Sequence, residues 1–382
     1  MHLSEYKYVV VGSGFYGSVI AERIANDLVE PVLVIEKRSH TGGNCHSLDH
    51  PETGIHYHQY GTHIFHTKDR MVWEYVNRFT DFNGYRHQVL TTYQDKVFQM
   101  PINLETINSF YDLNLKPFEV VDFLRNEAGK SEITHPTNFE EKAISQLGEP
   151  LYKAFIEGYT KKQWGCDPKL LSASILNRLP FRTNYDESYF FDPWQGIPLK
   201  GYGDIFDKLL SHQLIRLEIN TDFFSIRDIL RKDAKIIYSG PIDKLFDYKH
   251  GRLEWRGLSL REEIKELTDF QGTSVMNYAE ETIPYTRIHE PRHLHAEREY
   301  SNNQTLIIKE FSHSDNGEDP FYPLGGDNNK ALVDKYQDEF KTQKNLIVGG
   351  RLGDYKYYDM DQTIAMALQT YSKLKEQHHD VE

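Results

Sequence analysis

Cysteine is nearly absent. Cys45 and Cys166 are the only two in 382 residues, which excludes a disulfide framework, and neither a CxxC pair nor a Cys/His zinc spacing occurs, so a reducing compartment is expected. Positive charge is also short: 44 Lys and Arg stand against 57 Asp and Glu, a formal net charge of −13. Polymeric nucleic acid and anionic lipid require cationic surface to displace counterions, so neither is an expected partner, although a local basic pocket is compatible with the total. Long apolar runs are missing too. No stretch approaches the roughly 18 residues of a membrane span, and Met1–Val11 has neither the apolar core nor the cleavage pattern of a signal peptide. The expectation is a soluble cytoplasmic protein without membrane insertion. No internal repeat or low-complexity tract is found. Aromatic residues, in contrast, are plentiful, with 25 Tyr, 21 Phe and 4 Trp; they can fill a core or stack on planar ligands, and composition does not say which. At about 150 residues per domain the length predicts two or three domains.

The β-branched run Tyr8–Val11 ends on Gly12-Ser-Gly-Phe-Tyr-Gly17, helical apolar spacing follows over Ser18–Ala25, and Pro31–Glu36 reads as a second buried strand. This is one βαβ unit. A loop rich in Gly, His and Asn spans Thr41–Gly61, a helix is predicted over Met71–Phe79, and strands over Val89–Met100, ending at Pro101. Helical spacing then dominates Leu104–Phe110, Pro117–Asn126, Asn138–Leu147, Pro150–Gln163 and Leu170–Arg178. Irregular strands are expected over Arg182–Pro198, a short helix over Ile205–Leu210, a buried strand over Lys235–Gly240 and antiparallel strands over Gly251–Phe311. A strand at Asn345–Arg351 runs into a Gly turn, a helix follows over Asp361–Leu368, and a polar tail is expected from Lys375.

The first turn carries chemistry. Gly12 permits the tight turn, Gly14 lets a pyrophosphate approach the backbone, Gly17 lets helix and sheet pack closely, and Glu36 closes the next strand where a carboxylate meets a ribose hydroxyl. The helix N-terminus favours the phosphate charge. Arg38 and Gly42-Gly43-Asn44 follow at once, and Gly349-Gly350-Arg351 precedes a late helix starting around Asp359 to Asp361. Either Gly pair alone could be a plain turn; together they favour FAD over NAD, because a flavin needs donors and clearance beyond its ADP half and gains from a second helix dipole.

These segments, with Tyr60–Thr67 (YGTHIFHT), Met100–Asn103 (MPIN), Gly158–Gly165 (GYTKKQWG), Leu179–Arg182 (LPFR), Tyr238–Pro241 (YSGP), Val275–Tyr278 (VMNY), Pro284–Ile288 (PYTRI), Phe321–Pro323 (FYP) and Gly350–Met360, resemble the bacterial UDP-galactopyranose mutase family over nearly the whole chain. The resemblance implies an α/β fold with a discontinuous Rossmann-like FAD-binding domain (1–80, 205–248 and 330–382), a helical uridine-binding insert (102–180) and an antiparallel sheet domain (81–101, 181–204 and 249–329). It implies an isomerase that interconverts UDP-galactopyranose and UDP-galactofuranose for cell-surface polysaccharide. The route is an adduct between N5 of reduced flavin and the sugar C1, without net redox change, in a homodimer.

With the cofactor as nucleophile, no Ser/His/Asp or Cys/His constellation is required, and none is apparent. The protein must supply positive charge for a leaving diphosphate, and the resemblance assigns this to Arg182 and Arg287, either of which alone could be a surface arginine. Phe155, Tyr159 and Trp164, four and five residues apart on roughly one helix face, suit a core stripe or a stacking platform; the resemblance makes them the uridine platform, with Thr160 and Asn277 beside them. Tyr189 and Trp194 fall in a segment resembling a mobile loop, and His87, Tyr322 and Tyr357 match substrate-site residues. The resemblance gives the flavin Gly12, Ser13, Gly14, Phe15, Tyr16, Gly17, Glu36, Lys37, Arg38, Gly43, Asn44, His63, Ile64, Arg351, Asp359 and Met360. His63 and His66 invite a metal reading, but without a Glu partner or third ligand no metal is expected; the resemblance puts His63 on the flavin ring. Thr62, Trp194 and His313 depart from the family pattern, so UDP-N-acetylgalactosamine or dTDP-fucose are alternative substrates. An FAD amine oxidase-like oxidoreductase and a redox-silent FAD binding module are the rival functions.

Overall fold

In the computed structural model, residues 2–179, 181–300, 303–315 and 317–379 are described; Pro180 of the Leu179–Arg182 segment and the last three residues of the expected tail lie outside them. Five parallel strands form the first sheet, in the order Leu346–Val348, Lys235–Tyr238, Tyr8–Val11, Val32–Ile35, Ile215–Glu218. Their side chains alternate between two cores. Tyr8, Val10, Val32 and Val34 face the helices Phe15–Arg23, Gly201–Leu209 and Met360–His379, whereas Val9, Val11, Leu33 and Ile35 face Phe223, Trp255 and Tyr336. Burial on both sides explains why these strands read as unbroken apolar runs.

A seven-stranded sheet follows the order Tyr322–Pro323, Trp255–Lys265, Thr305–Asp315, Arg287–His289, Val275–Tyr278, Val89–Tyr93, Lys96–Met100. It is antiparallel except where Val275–Tyr278 runs parallel to Val89–Tyr93. Against the seven-stranded sheet stands a helical region with its own core, including Leu104, Ile107, Leu124, Phe139, Leu147, Leu151 and Phe155. Among the described residues no helix is long and apolar enough to cross a membrane.

Five expectations change, the first in the stretch Thr41–Gly61, which is not all loop but holds the antiparallel pair Ser47–Asp49 with His56–His58. Leu170–Arg178 forms 3-10 turns, Pro168–Leu170 and Ala173–Arg178, instead of one helix, because Ser172 caps a new turn through Ser174 and interrupts the ladder. Between Arg182 and Pro198 only Trp194–Gly196 is a strand, paired with Phe65–Thr67. The helix predicted over Ile205–Leu210 starts earlier, at Gly201. The polar tail is instead the end of the helix Met360–His379: Tyr371 and Leu374 are buried, and Tyr8 Oη meets His378 Nδ1 at 3.0 Å, so a few inward residues carry a polar segment as helix.

Candidate active site

The first βα turn lines a cavity of about 230 Å³. Gly12 has φ 99°, and a Cβ there would lie 2.3 Å from Ser239 Oγ; a Cβ on Gly17 would lie 2.0 Å from the Gly12 carbonyl oxygen. Only glycine fits either position. Gly14 caps the helix Phe15–Arg23, and nothing stands within 4 Å of where its Cβ would be, so the backbone is approachable at the helix N-terminus. Gly12, Gly14, Phe15, Tyr16, Glu36, Lys37, Arg38, Gly43 and Asn44 are on the wall, whereas Ser13 and Gly17 stand behind it. Glu36 Oε2 accepts from Ser13 N (2.9 Å) and Ser13 Oγ (2.8 Å), and Oε1 accepts from Arg38 N (2.9 Å). Its carboxylate thus fixes the glycine turn, and Oε1 retains a lone pair for a hydroxyl. Arg38 donates to Asn44 Oδ1 (2.9 Å) and Asp319 Oδ1 (2.6 Å), and Lys37 Nζ to the Glu318 carbonyl (3.0 Å).

A second cavity, of about 360 Å³, lies between the seven-stranded sheet and the helical region. The two cavities share His63, Arg351 and Met360 as wall residues, so they adjoin there. His63 donates from Nδ1 to the Gly61 carbonyl (2.7 Å); burial, reinforced by Arg351 and His289, lowers its pKa to about 4 and leaves Nε2 an unprotonated acceptor. The Arg351 guanidinium lies 4.9 Å from the Tyr357 ring centroid, and Tyr357 stacks on Tyr322 at 5.4 Å.

The larger cavity is also lined by Ile64, His87, Phe155, Tyr159, Trp164, Tyr189, Asn277, Arg287, Tyr322, Tyr357 and Asp359. Phe155 serves two purposes, since it also packs edge-on against Phe98 and Phe110. The single helix face needs revision. Nine residues of ideal α-helix would put Phe155 and Trp164 on opposite sides; a π turn at Lys153–Glu157 alters the winding between Glu149–Tyr152 and Gly158–Trp164.

Arg287 is the charge centre. It donates to Tyr159 Oη and lies 3.4 Å from Glu310 Oε1. Burial opposes ionisation of Glu310, but the Arg287 charge and hydrogen bonds from His289 and Thr286 prevail and hold its pKa at about 2. Burial and then Arg287 lower His87 to about 3, so this histidine is neutral beside the arginine.

Three expected substrate residues stand off this wall. Thr160 is buried behind it. Trp194 stacks on Trp73 at 6.2 Å, in the strand paired with Phe65–Thr67. Arg182 follows the wall residue Phe181: it is 6% exposed, lies 3.3 Å from Asp186, stacks over Phe191 at 4.3 Å, and none of its three guanidinium nitrogens makes a hydrogen bond among the described residues. Of the three departures only Thr62 reaches the cavity, bonded to His289 Nδ1 at 2.7 Å; His313 is exposed opposite Gly257. His66 bonds Asp192 (2.6 Å) and stacks on Phe190.

Sequence reasoning missed Glu310, His289 and Arg256. Arg256 is 4% exposed and donates to the carbonyls of Lys162 (3.3 Å) and Gln163 (3.0 Å), holding the end of the helix that carries Trp164. Its sequence signal was weak, an arginine between the buried Trp255 and a glycine.

A family profile for UDP-galactopyranose mutase matches residues 154–357, and one for an NAD(P)-binding Rossmann-like domain matches residues 10–79. The chain is 41% identical to a Klebsiella pneumoniae protein described as a probable UDP-galactopyranose mutase, over 95% of this chain and 93% of that one. It is 38% identical to a dTDP-fucopyranose mutase of Escherichia coli, over 95% and 97%. A crystal structure of reduced UDP-galactopyranose mutase shares the fold with a TM-score of 0.73, at 15% identity over 97% of this chain and 94% of that chain. The oxidoreductase and binding-module readings give way to an isomerase, and the chain belongs to the UDP-galactopyranose mutase family of nucleotide-sugar mutases.

Proposed function

We propose that the protein interconverts UDP-galactopyranose and UDP-galactofuranose without net redox change, with FAD in the smaller cavity and the nucleotide sugar in the larger. The observation that carries this reading is the shared wall at His63, Arg351 and Met360, where a dinucleotide entering at Gly14 would end against the second cavity. The open approach at Gly14, the helix N-terminus behind it and the free lone pair of Glu36 fit such a ligand. Bound and reduced, the flavin supplies a nucleophilic nitrogen for the anomeric carbon.

The remaining roles fall to this chain. Arg287, kept charged by Glu310, balances the diphosphate as it leaves; Arg182 offers buried donors that have no hydrogen-bond partner among the described residues, and its side chain would have to turn toward the wall. Phe155, Tyr159 and Trp164 form the uracil platform, with Asn277 and Thr160 adding polar contacts. Tyr189, His87, Tyr322 and Tyr357 enclose the sugar and diphosphate. Neutral His63 presents Nε2 as an acceptor where the ring would lie, and Ile64, Arg351, Asp359 and Met360 complete that wall. Gly12–Gly17, Glu36, Lys37, Arg38, Gly43 and Asn44 hold the ADP half. The three-way domain division, a cytoplasmic homodimer and a role in cell-surface polysaccharide belong to the same proposal.

A second reading, dTDP-fucose as substrate, is favoured by the near-equal identity to the Escherichia coli enzyme and by Thr62 on the cavity wall. Chromatography of UDP-galactose, UDP-N-acetylgalactosamine and dTDP-fucose incubated with dithionite-reduced holoprotein separates the readings. UDP-galactofuranose is the expected product. A furanose from only one of the other sugars moves the substrate, and none from any refutes the mutase proposal for this site.

A further inference from the structure

Lys162 belongs to the segment Gly158–Gly165, yet it lines neither cavity. Its Nζ points at four main-chain carbonyl oxygens: Tyr278 at 2.6 Å, Glu280 at 2.9 Å, Ile283 at 3.0 Å and Tyr285 at 2.9 Å. Tyr278 ends the strand Val275–Tyr278 and the other three belong to the turn that leads to Arg287–His289, so all four lie in the stretch that separates Asn277 from Arg287. An ammonium has three protons. Four oxygens at these distances therefore surround it as a point charge, much as rings of carbonyl dipoles replace the hydration shell of a potassium ion.

The same end of the helix is held from the other side. Arg256 donates to the Lys162 and Gln163 carbonyls, and Ser312 Oγ donates to the Gln163 carbonyl at 2.7 Å. Gly158 packs so closely under the turn that a Cβ there would lie 2.5 Å from the Ala279 carbonyl oxygen. Helix and turn thus meet across one cation. Without it, four carbonyl dipoles would converge on an uncompensated point, and the turn would have to open to rehydrate them.

We propose that these four carbonyls form a monovalent-cation site whose resident ion is the chain's own Lys162 ammonium, and that this tethered ion positions Tyr159 and Trp164 against Asn277 and Arg287. Lys162 is a positioning residue: it touches neither the cofactor cavity nor the substrate cavity. Removing its side chain should leave a vacancy that free potassium or ammonium fills. The nucleotide part of the test rests on the proposed uridine site, whereas the stability part does not.

The experiment compares Lys162→Ala and wild-type holoprotein in sodium, potassium, ammonium and choline chloride at equal ionic strength, reading melting temperature and UDP affinity. In choline or sodium the variant is expected to bind UDP about tenfold more weakly, one lost charge-assisted contact, and to melt lower; potassium or ammonium restores both, and wild type responds to none. Lys162→Met, whose side chain occupies the vacancy, is expected to stay impaired in every salt. Should Lys162→Ala be insoluble in sodium, refolding that succeeds in ammonium but fails in choline supports the site. Wild-type behaviour of the alanine variant in choline, or a defect that neither potassium nor ammonium repairs, overturns it. Failure of wild type to bind UDP would remove the substrate reading and leave the melting arm to decide the cation site.

Discussion

The smaller cavity, proposed for the cofactor, and the larger one, proposed for the substrate, are assembled in different ways. Most of the expected wall of the first comes from Gly12–Tyr16, Glu36–Arg38 and Gly43–Asn44, short stretches whose spacing is set by one βαβ unit and in which Gly12 and Gly43 take positive φ. The wall of the second draws on positions from Tyr60 to Met360, and its central charge, Arg287, depends on Glu310 from the neighbouring strand and on Tyr159 from a helix. A backbone-built site is robust and local. A charge-built site depends on partners that only the tertiary fold supplies, and it should therefore fail in a different manner when disturbed.

The largest effect is expected in the charge-built site. Arg287→Ala removes the proposed diphosphate partner and strands the buried Glu310 carboxylate, so turnover should fall about a thousandfold, roughly 4 kcal/mol, while flavin absorbance per protein should be unchanged. Arg182→Ala tests the arginine that stands off the wall: turnover should be lost with flavin retained, and near-normal activity would remove it from the site. Gly12→Ala acts on the other cavity. With φ 99° and Ser239 Oγ 2.3 Å from the new Cβ, the cofactor should bind about a hundredfold more weakly, seen as a colourless preparation that still binds UDP in calorimetry.

Acid should dissect the charge-built site in two windows. Glu310, with a folded pKa of about 2 against an ordinary 4.5, contributes about 3 kcal/mol above pH 4.5 that is lost as pH falls towards 2. His63 and His87, lowered to about 4 and 3, are neutral in the fold, so each costs about 2 kcal/mol once pH drops from 6.5 to 5 and the unfolded chain takes up the protons. Melting temperature measured against pH should therefore fall between pH 7 and 5. His87→Asn should remove one histidine's share of that limb, and Glu310→Gln should flatten only the limb below pH 4.5. The smallest effect belongs to the exposed His313: His313→Arg should leave the preference among the three nucleotide sugars within about twofold, as expected of a surface change away from the site.

The same contrast explains what was legible beforehand. The turn Gly12–Gly17 and Glu36 could be read because strand, glycine, helix and acid lie close in sequence and each has a backbone reason. The pair Arg287 and Glu310 could not, because the two residues are brought opposite each other by register, and an alternating strand makes a buried glutamate look like a surface one. Trp194 stands off the cavity wall because a strand pairing with Phe65–Thr67 turns it onto Trp73, a long-range pairing that local pattern does not display. Lys375 onward looked like a tail because its inward contacts are sparse, yet Tyr371 and Leu374 suffice to dock the helix.

The two cavities adjoin at His63, Arg351 and Met360, where, on the proposed function, a reduced cofactor would act on the sugar and be returned unchanged. The most direct measurement is anaerobic turnover of UDP-galactose by holoprotein reduced with stoichiometric dithionite, with product counted by chromatography and flavin oxidation state followed by absorbance. Many furanose molecules per flavin, with the cofactor still reduced at the end, are expected of the proposed function. Product that stops at one equivalent as the flavin reoxidises, or equal turnover by the fully oxidised protein, would contradict it.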